Sequence, residues 1–312
     1  MAIVLVVLIV SLSGCNAADR NDKGKNTVVT SFYPIYIFTL NLVEGIDDIE
    51  VSRMAENNTG CLHDYTLTAK DAKILSDAEV LVINGAGMEL FVEDLYKTVE
   101  NLPVIDSSIG IELICNEGHN HEEAHEGHNH NHEEAHEGHD HNHSVNSHIW
   151  LSVKNAKKQV LNIKDGLVKV FPQYDERISS NCEEYLRRLD NLDKQLKDSY
   201  QIPEGTKVVT FHQAYDYMAE DVGLVIADCI EGDDGNEPSP GKLVHLCDEM
   251  REQKIKVLFT EPDYSGSAAD IVAMETGARV YVLNPVLTGE EKLTAYEEIM
   301  LENYRIIYEA VK

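Results

Sequence analysis

Two apolar rhythms divide the chain from residue 27 onward. Short continuous runs, such as Val28-Val29 and Val80-Leu81-Val82-Ile83, have the length and branching of strands buried on both faces. Between them lie segments whose apolar positions recur every three or four residues, the spacing of an amphipathic helix. This alternation predicts strands at 28–30, 49–54, 80–83 and 104–105. The helices between them fall at 34–45, 68–76 and 88–99, with Thr68 as an N-cap. Helical spacing returns at 152–171, where Pro172 breaks it, and runs again over 175–200. In that second stretch Ile178, Cys182, Tyr185, Leu186, Leu189, Leu192 and Leu196 make one apolar stripe, which Pro203 and Gly205 end. Val208-Val209-Thr210 then repeats the Val-Val-Thr of the first strand, and the alternation restarts. Strands follow at 224–230, 257–260 and 280–283, with helices ending at 222 and spanning 242–252, 268–277 and 290–311.

Strands alternating with helices imply parallel sheets covered on both faces. The expected fold class is α/β: two lobes, each a mostly parallel sheet flanked by helices, bridged by one long helix, with a cleft between them. The expected divisions are a leader at 1–15, a tether at 16–26, an N-terminal lobe at 27–171, a linking helix at 172–201 and a C-terminal lobe at 202–312.

Two stretches fit neither rhythm. The N-terminus reads MAIVLVVLIVSLSGC, an apolar run too short to span a bilayer and of the right length for a signal-peptide core. No Lys or Arg precedes it. Leu12-Ser13-Gly14-Cys15 has the form of a bacterial lipobox, so Cys15 is the expected lipid attachment point and the location extracytoplasmic, at the cell membrane. An ordinary secretory signal with a chance cysteine is the alternative. The second stretch, 117–147, carries His119, His121, His125, His128, His130, His132, His136, His139, His141 and His143, interleaved with Glu and Asp. HEEAHEGH at 121–128 recurs at 132–139. With so few apolar residues it cannot offset the entropy of ordering, and its composition suits transition-metal capture as an auxiliary loop. A solvated acidic loop that binds metal incidentally is the alternative. HEEAH at 121–125 and 132–136 fits the H-E-x-x-H protease pattern, but that motif needs a docked helix and these flanks offer no apolar face.

Charge sharpens the picture. The formal net charge is −29 with His neutral, which argues against nucleic acid as a partner and favours cations near the surface. Beyond Cys15 there remain Cys61, Cys115, Cys182, Cys229 and Cys247, with no CxxC pair and at least one necessarily free thiol. Cys182 lies on the long helix stripe and reads as core.

Four histidines fall outside the rich loop. His63 follows the second strand, His148 follows the loop after the fourth, and His212 follows the first strand of the second half. Open parallel sheets bind ligands beyond the carboxyl ends of their strands, so lobes facing one another bring these three imidazoles to a common cleft. Three nitrogens suit zinc, although nickel and copper fit the same donors. His245 has no such placement and reads as structural.

Thr30-Ser31-Phe32-Tyr33-Pro34-Ile35, His63-Asp64-Tyr65, Asn84-Gly85 with Gly87 and Glu89, His148-Ile149-Trp150-Leu151 with Lys154-Asn155-Ala156, Phe211-His212 and Phe259-Thr260-Glu261-Pro262 occur in that order. Together they resemble the zinc-binding lipoproteins of bacterial ABC importers, the ZnuA- and TroA-like metal receptors, over residues 27–312. The resemblance implies two α/β lobes on a rigid linking helix, a ligand role for His63, His148 and His212, and Zn2+ as transported ligand. It implies as partners a membrane permease with its cytoplasmic ATPase, and a monomer held to the membrane by lipid. Manganese-selective relatives carry a carboxylate where His212 stands. Two departures leave the fourth ligand open. The family often has a carboxylate after the last strand, where this chain has Asn284, and some zinc members have a Glu where this chain has Leu62. Water, Glu290 or a loop residue are the other candidates. A metal-buffering lipoprotein or adhesin without transport shares these features. A zinc hydrolase is a further class, with Glu261 the only general base in view.

Overall fold

A computed structural model describes residues 25–55, 65–97, 99, 101–115, 145–231, 238–262 and 267–312. The leader and Cys15, the segment with Cys61 and His63, and all ten histidines of the rich loop lie outside these residues.

The chain alternates as its pattern requires. The first half gives β1 (Asn26–Thr30), α1 (Tyr33–Val43), β2 (Ile49–Arg53), α2 (Ala69–Ser76), β3 (Val80–Ile83), α3 (Leu90–Tyr96) and β4 (Val104–Asp106). Two helices follow, α4 (Val153–Val170) and α5 (Asp175–Ser199). The second half gives β5 (Thr206–His212), α6 (Asp216–Val222), β6 (Leu224–Glu231), α7 (Pro240–Glu252), β7 (Val257–Thr260), α8 (Ser267–Thr276), β8 (Arg279–Val282) and α9 (Ala295–Val311). The strands form two four-stranded sheets, ordered β2-β1-β3-β4 and β6-β5-β7-β8, in which every pairing is parallel. The two halves therefore share one winding, and each has a switch point beside its first strand, between β1 and β3 and between β5 and β7.

Local signals set the boundaries. Thr68 and Asp71 form a reciprocal capping box on α2. Ser152 caps α4 by accepting from the backbone N–H of Asn155, and α4 stops at Phe171, before Pro172. Gly223 takes a left-handed φ of 74° to close α6, a conformation without a Cβ penalty only for glycine. Among the described residues no helix is long and apolar enough to cross a membrane.

The long helix α5 buries Ile178, Cys182, Tyr185, Leu189, Leu192 and Leu196, the predicted stripe with Leu186 at its margin. Each lobe keeps a small apolar cluster of its own, around Val29, Leu75 and Leu81 in the first and Val209, Leu246 and Leu258 in the second, but the largest one is shared. One apolar cluster runs from Val28, Phe32 and Phe38 through α5 to Phe259, Val286, Tyr296 and Ile307. Phe38 meets Tyr296 edge to face, with ring centroids 5.0 Å apart.

The last helix departs from expectation. Periodicity predicts helix from 290, but α9 begins at Ala295. The carbonyls just before it face the first lobe instead: Glu290 O accepts from Tyr33 Oη at 2.6 Å and Leu293 O accepts from Asn41 Nδ2 at 3.0 Å. A helix there would turn those groups inward along its own axis. Gly289 sits where a Cβ would come within 2.4 Å of the Tyr33 hydroxyl, so only glycine lets this segment lie against α1. Arg188 on α5 completes the seam, donating to Asn41 Oδ1, Leu293 O and the Glu297 carboxylate.

Candidate metal centre

Each switch point ends in buried polar side chains. His212 is the final residue of β5 and Glu261 lies one residue beyond β7; both are buried. In the first lobe Glu89 is buried at the ends of β1 and β3. Its carboxylate accepts from Ser31 Oγ (2.8 Å), Asn84 N (2.6 Å) and Gly85 N (3.0 Å). Burial pushes this carboxyl up to about 7 against the pull of those three donors.

The Asn84 side chain carries the support onward. Its Nδ2 donates to Ser147 O at 2.9 Å, and its Oδ1 accepts from Gln159 Nε2 of α4 at 2.9 Å. The peptide before His148 is thus gripped from within the first sheet. His148 itself is 2 % exposed and caps a single 3-10 turn, Ile149–Leu151. Two residues on, Trp150 is fully buried, and its indole Nε1–H donates to Pro285 O at 2.8 Å, across the seam. The Trp150 ring meets Phe32 edge to face at 4.9 Å and the His148 ring at 5.2 Å.

The rings of His148 and His212 lie against each other. Their ring centroids are 5.2 Å apart with the planes at 76°. Two imidazoles on one tetrahedral zinc, with Zn–N near 2.0–2.1 Å, place their centroids about 5 Å apart, so this pair has the spacing of two ligands sharing an ion. The Nδ1 of His148 lies 2.9 Å from Asn146 Oδ1, which also accepts from the His148 backbone N–H at 2.9 Å.

The other sequence candidates fall as follows. Among the described residues no three His, Cys, Asp or Glu side chains are grouped to hold a metal. The histidine pair therefore takes neither Glu261 nor Glu290 into a described cluster. Glu290 is exposed and ion-paired with Lys292 at 2.9 Å. Asn284 turns its Oδ1 onto the backbone N–H of Val286 (2.8 Å), and Asn303 of α9 brackets its own N–H and C=O. His245 is exposed on α7. Cys182 is core, and burial pushes its thiol up to about 11. Cys115, Cys182 and Cys247 are free thiols.

His63 itself lies outside the described residues, but both flanks of its segment are tied to one carboxylate. Asp71 accepts from Ala55 N (3.3 Å) on one side and from Tyr65 Oη (2.8 Å) and Thr68 N (2.8 Å) on the other. Burial raises the Asp71 carboxyl, but these donors outweigh it and hold the group below its ordinary value. The depressed value means its stabilisation is in force at neutral pH and is lost as pH falls through the folded value. Asp71→Ala is expected to cost about 1–3 kcal/mol in urea unfolding at pH 7, with a shrinking difference from the parent as pH drops below the carboxylate range.

The root of the His-rich loop is also visible. Cys115 and Val145 form an antiparallel bridge, and Asn146 N donates to Ile114 O at 2.8 Å. Beside it opens a cleft of about 920 Å3 whose walls include Glu112, Cys115, Lys154, Asp216, Glu220 and Asp221. Nothing in the hydrophobic pattern announced Asp71, Glu89, Asn84, Gln159 or Asn146. For Asn146 the one available signal was its place two residues before a candidate ligand.

The sequence matches the family described as "ZnuA: Zinc-uptake complex component A periplasmic" over residues 28–310. It is 34% identical over 290 residues to the "High-affinity zinc uptake system protein ZnuA" of Bacillus subtilis (strain 168), covering 91% of this chain and 87% of that protein. To the "Zinc-binding lipoprotein AdcA" of Streptococcus pneumoniae (strain ATCC BAA-255 / R6) it is 28% identical over 309 residues, which span 58% of that longer protein. The fold is similar to a solved structure titled "Crystal structure of ZnuA", with a TM-score of 0.76, 25% identity and coverage of 92% of this chain and 100% of the other.

Proposed function

The chain belongs to the ZnuA family of zinc-uptake components, and from that premise we propose that it captures Zn2+ in the cleft between its lobes through His63, His148 and His212. The protein is an extracytoplasmic solute receptor of an ABC importer, with a permease and ATPase as partners, and not an enzyme. The observation that carries the site assignment is the His148–His212 pair at zinc-sharing distance, one ring from each lobe. His63 supplies the third nitrogen from a segment whose two ends are stapled to Asp71. The fourth position is filled by water: the Asn284 carbonyl oxygen is engaged in its own turn and Glu290 is paired at the surface.

The loop 117–147 concentrates zinc by weak exchange among its His and Glu residues and releases it beside the cleft, since both of its stems end at the second lobe's α6. Cys15 carries the lipid that holds a monomeric receptor to the membrane, with the lobes and linking helix divided as 27–171, 172–201 and 202–312. A lipoprotein name among the similar proteins supports the anchor.

Zinc titration by calorimetry on protein lacking residues 1–26 tests this reading. One tight site is expected to survive deletion of 119–143 and to be lost or greatly weakened by His63→Ala. Because protons compete for imidazole, affinity should fall as pH drops from about 7 to 5. Loss of all binding with the loop, or an affinity indifferent to that pH change, would sink the three-histidine site.

A further inference from the structure

We infer that Asn146 is a positioning residue that sets the ligand face of His148 and latches it to the second lobe with the same side chain; this rests on the three-histidine reading above. The amide has only one orientation that its surroundings allow. One end faces the backbone N–H of His148, which can only donate, so that end is the oxygen. The other end faces Gln213 O at 3.1 Å and the Asp216 carboxylate, which accept, so that end is the NH2.

The consequence passes to the imidazole. Since Asn146 Oδ1 accepts, the His148 nitrogen 2.9 Å away must carry its proton on Nδ1 in the neutral ring. That leaves the lone pair on Nε2, the nitrogen available for a metal. The acceptor is an uncharged amide, so it orients the ring without adding a carboxylate behind it.

The remaining groups of Asn146 reach the second lobe and the loop root. Its C=O accepts from Tyr217 Oη at 2.7 Å, and that same hydroxyl accepts from Ile114 N at 3.1 Å. Gln213, Asp216 and Tyr217 begin one residue after His212. Asn146 therefore ties one ligand of the pair to the stretch of chain that carries the other, and fixes their separation as well as the tautomer. An aspartate in place of Asn146 would also present an oxygen to the His148 ring. It would not replace the amide, because its second oxygen would face the Asp216 carboxyl and the Gln213 carbonyl without the N–H donors that Asn146 supplies to both.

Asn146→Ala is expected to weaken zinc binding about 10–100-fold, the usual cost of losing a partner behind a histidine ligand. In metal-free protein, nitrogen NMR of the His148 ring should show the Nδ1–H form giving way to a tautomer mixture. Asn146→Asp should weaken binding by a similar factor, and Asn146→Asp with Asp216→Asn should recover most of the loss by returning a donor between the two side chains. Unchanged affinity and an unchanged His148 tautomer in Asn146→Ala would overturn the inference. So would a double variant that folds, melts like the parent and binds no better than Asn146→Asp alone. His148→Ala serves as the control. If it leaves zinc affinity unaltered, the metal site itself is wrong; if it destroys binding while Asn146→Ala has no effect, only the role of Asn146 fails.

Discussion

His212→Ala will remove tight zinc binding and leave a folded protein. The side chain is 3 % exposed and ends β5, so the backbone that carries it is fixed by the pairing of β5 with β6 and β7 on either side. Alanine keeps those strand bonds and removes only the ring. What is lost is half of the 5.2 Å pair, leaving His148 as the only described imidazole at the site. Loss of a direct ligand should exceed the roughly 10–100-fold cost of losing a supporting group. Thermal melting gives the cleanest readout. With free zinc at about 1,000 times its dissociation constant, the parent gains about 4 kcal/mol from binding. His212→Ala should melt at nearly the same temperature with zinc or with chelator. A zinc-induced shift equal to that of the parent would remove His212 from the site.

Trp150→Ala is the largest expected loss of stability. The indole is fully buried, and emptying so large a site costs about 3–5 kcal/mol. The same change strips Pro285 O of its donor and takes away the ring that Phe32 and His148 pack against. For a chain of this size that amounts to a melting temperature lower by about 5–8 °C. Trp150→Phe keeps part of the packing and loses the hydrogen bond, so it should fall between parent and alanine. Zinc affinity should drop in both, because His148 stands two residues away on the same turn. If Trp150→Ala melts within a degree or two of the parent, the seam does not depend on this residue.

The winding of the fold was legible because buried parallel strands leave continuous apolar runs such as 80–83, and the restart at Val208-Val209-Thr210 marked the second sheet. The place of His212 was legible for the same reason: the apolar run of β5 leads directly to it. What stayed hidden was set by contacts remote in sequence. The segment 290–294 has helical spacing, yet its carbonyls serve Tyr33 and Asn41, more than two hundred residues away. Asn284 occupied the place of a ligand, but its oxygen is claimed by Val286 N, a local bond that spacing does not reveal. The support from Ser31 through Glu89 and Asn84 to Ser147 joins three loops that no periodicity connects.

The apolar cluster shared by the lobes has a consequence for the order in which the chain folds. Each sheet is local, with β1 to β4 falling within residues 26–106 and β5 to β8 within 206–282, so either can assemble while the other is still unformed chain. The helices between them are another matter. The core that α1, α4 and α5 enter is completed by Ala295, Tyr296, Met300, Tyr304 and Ile307 of α9, which is synthesised after both sheets. A nascent first lobe therefore carries an uncovered greasy face until α9 arrives, and a chain truncated before residue 295 keeps that face for good. Such a product would be marked for aggregation or proteolysis although both of its sheets are complete.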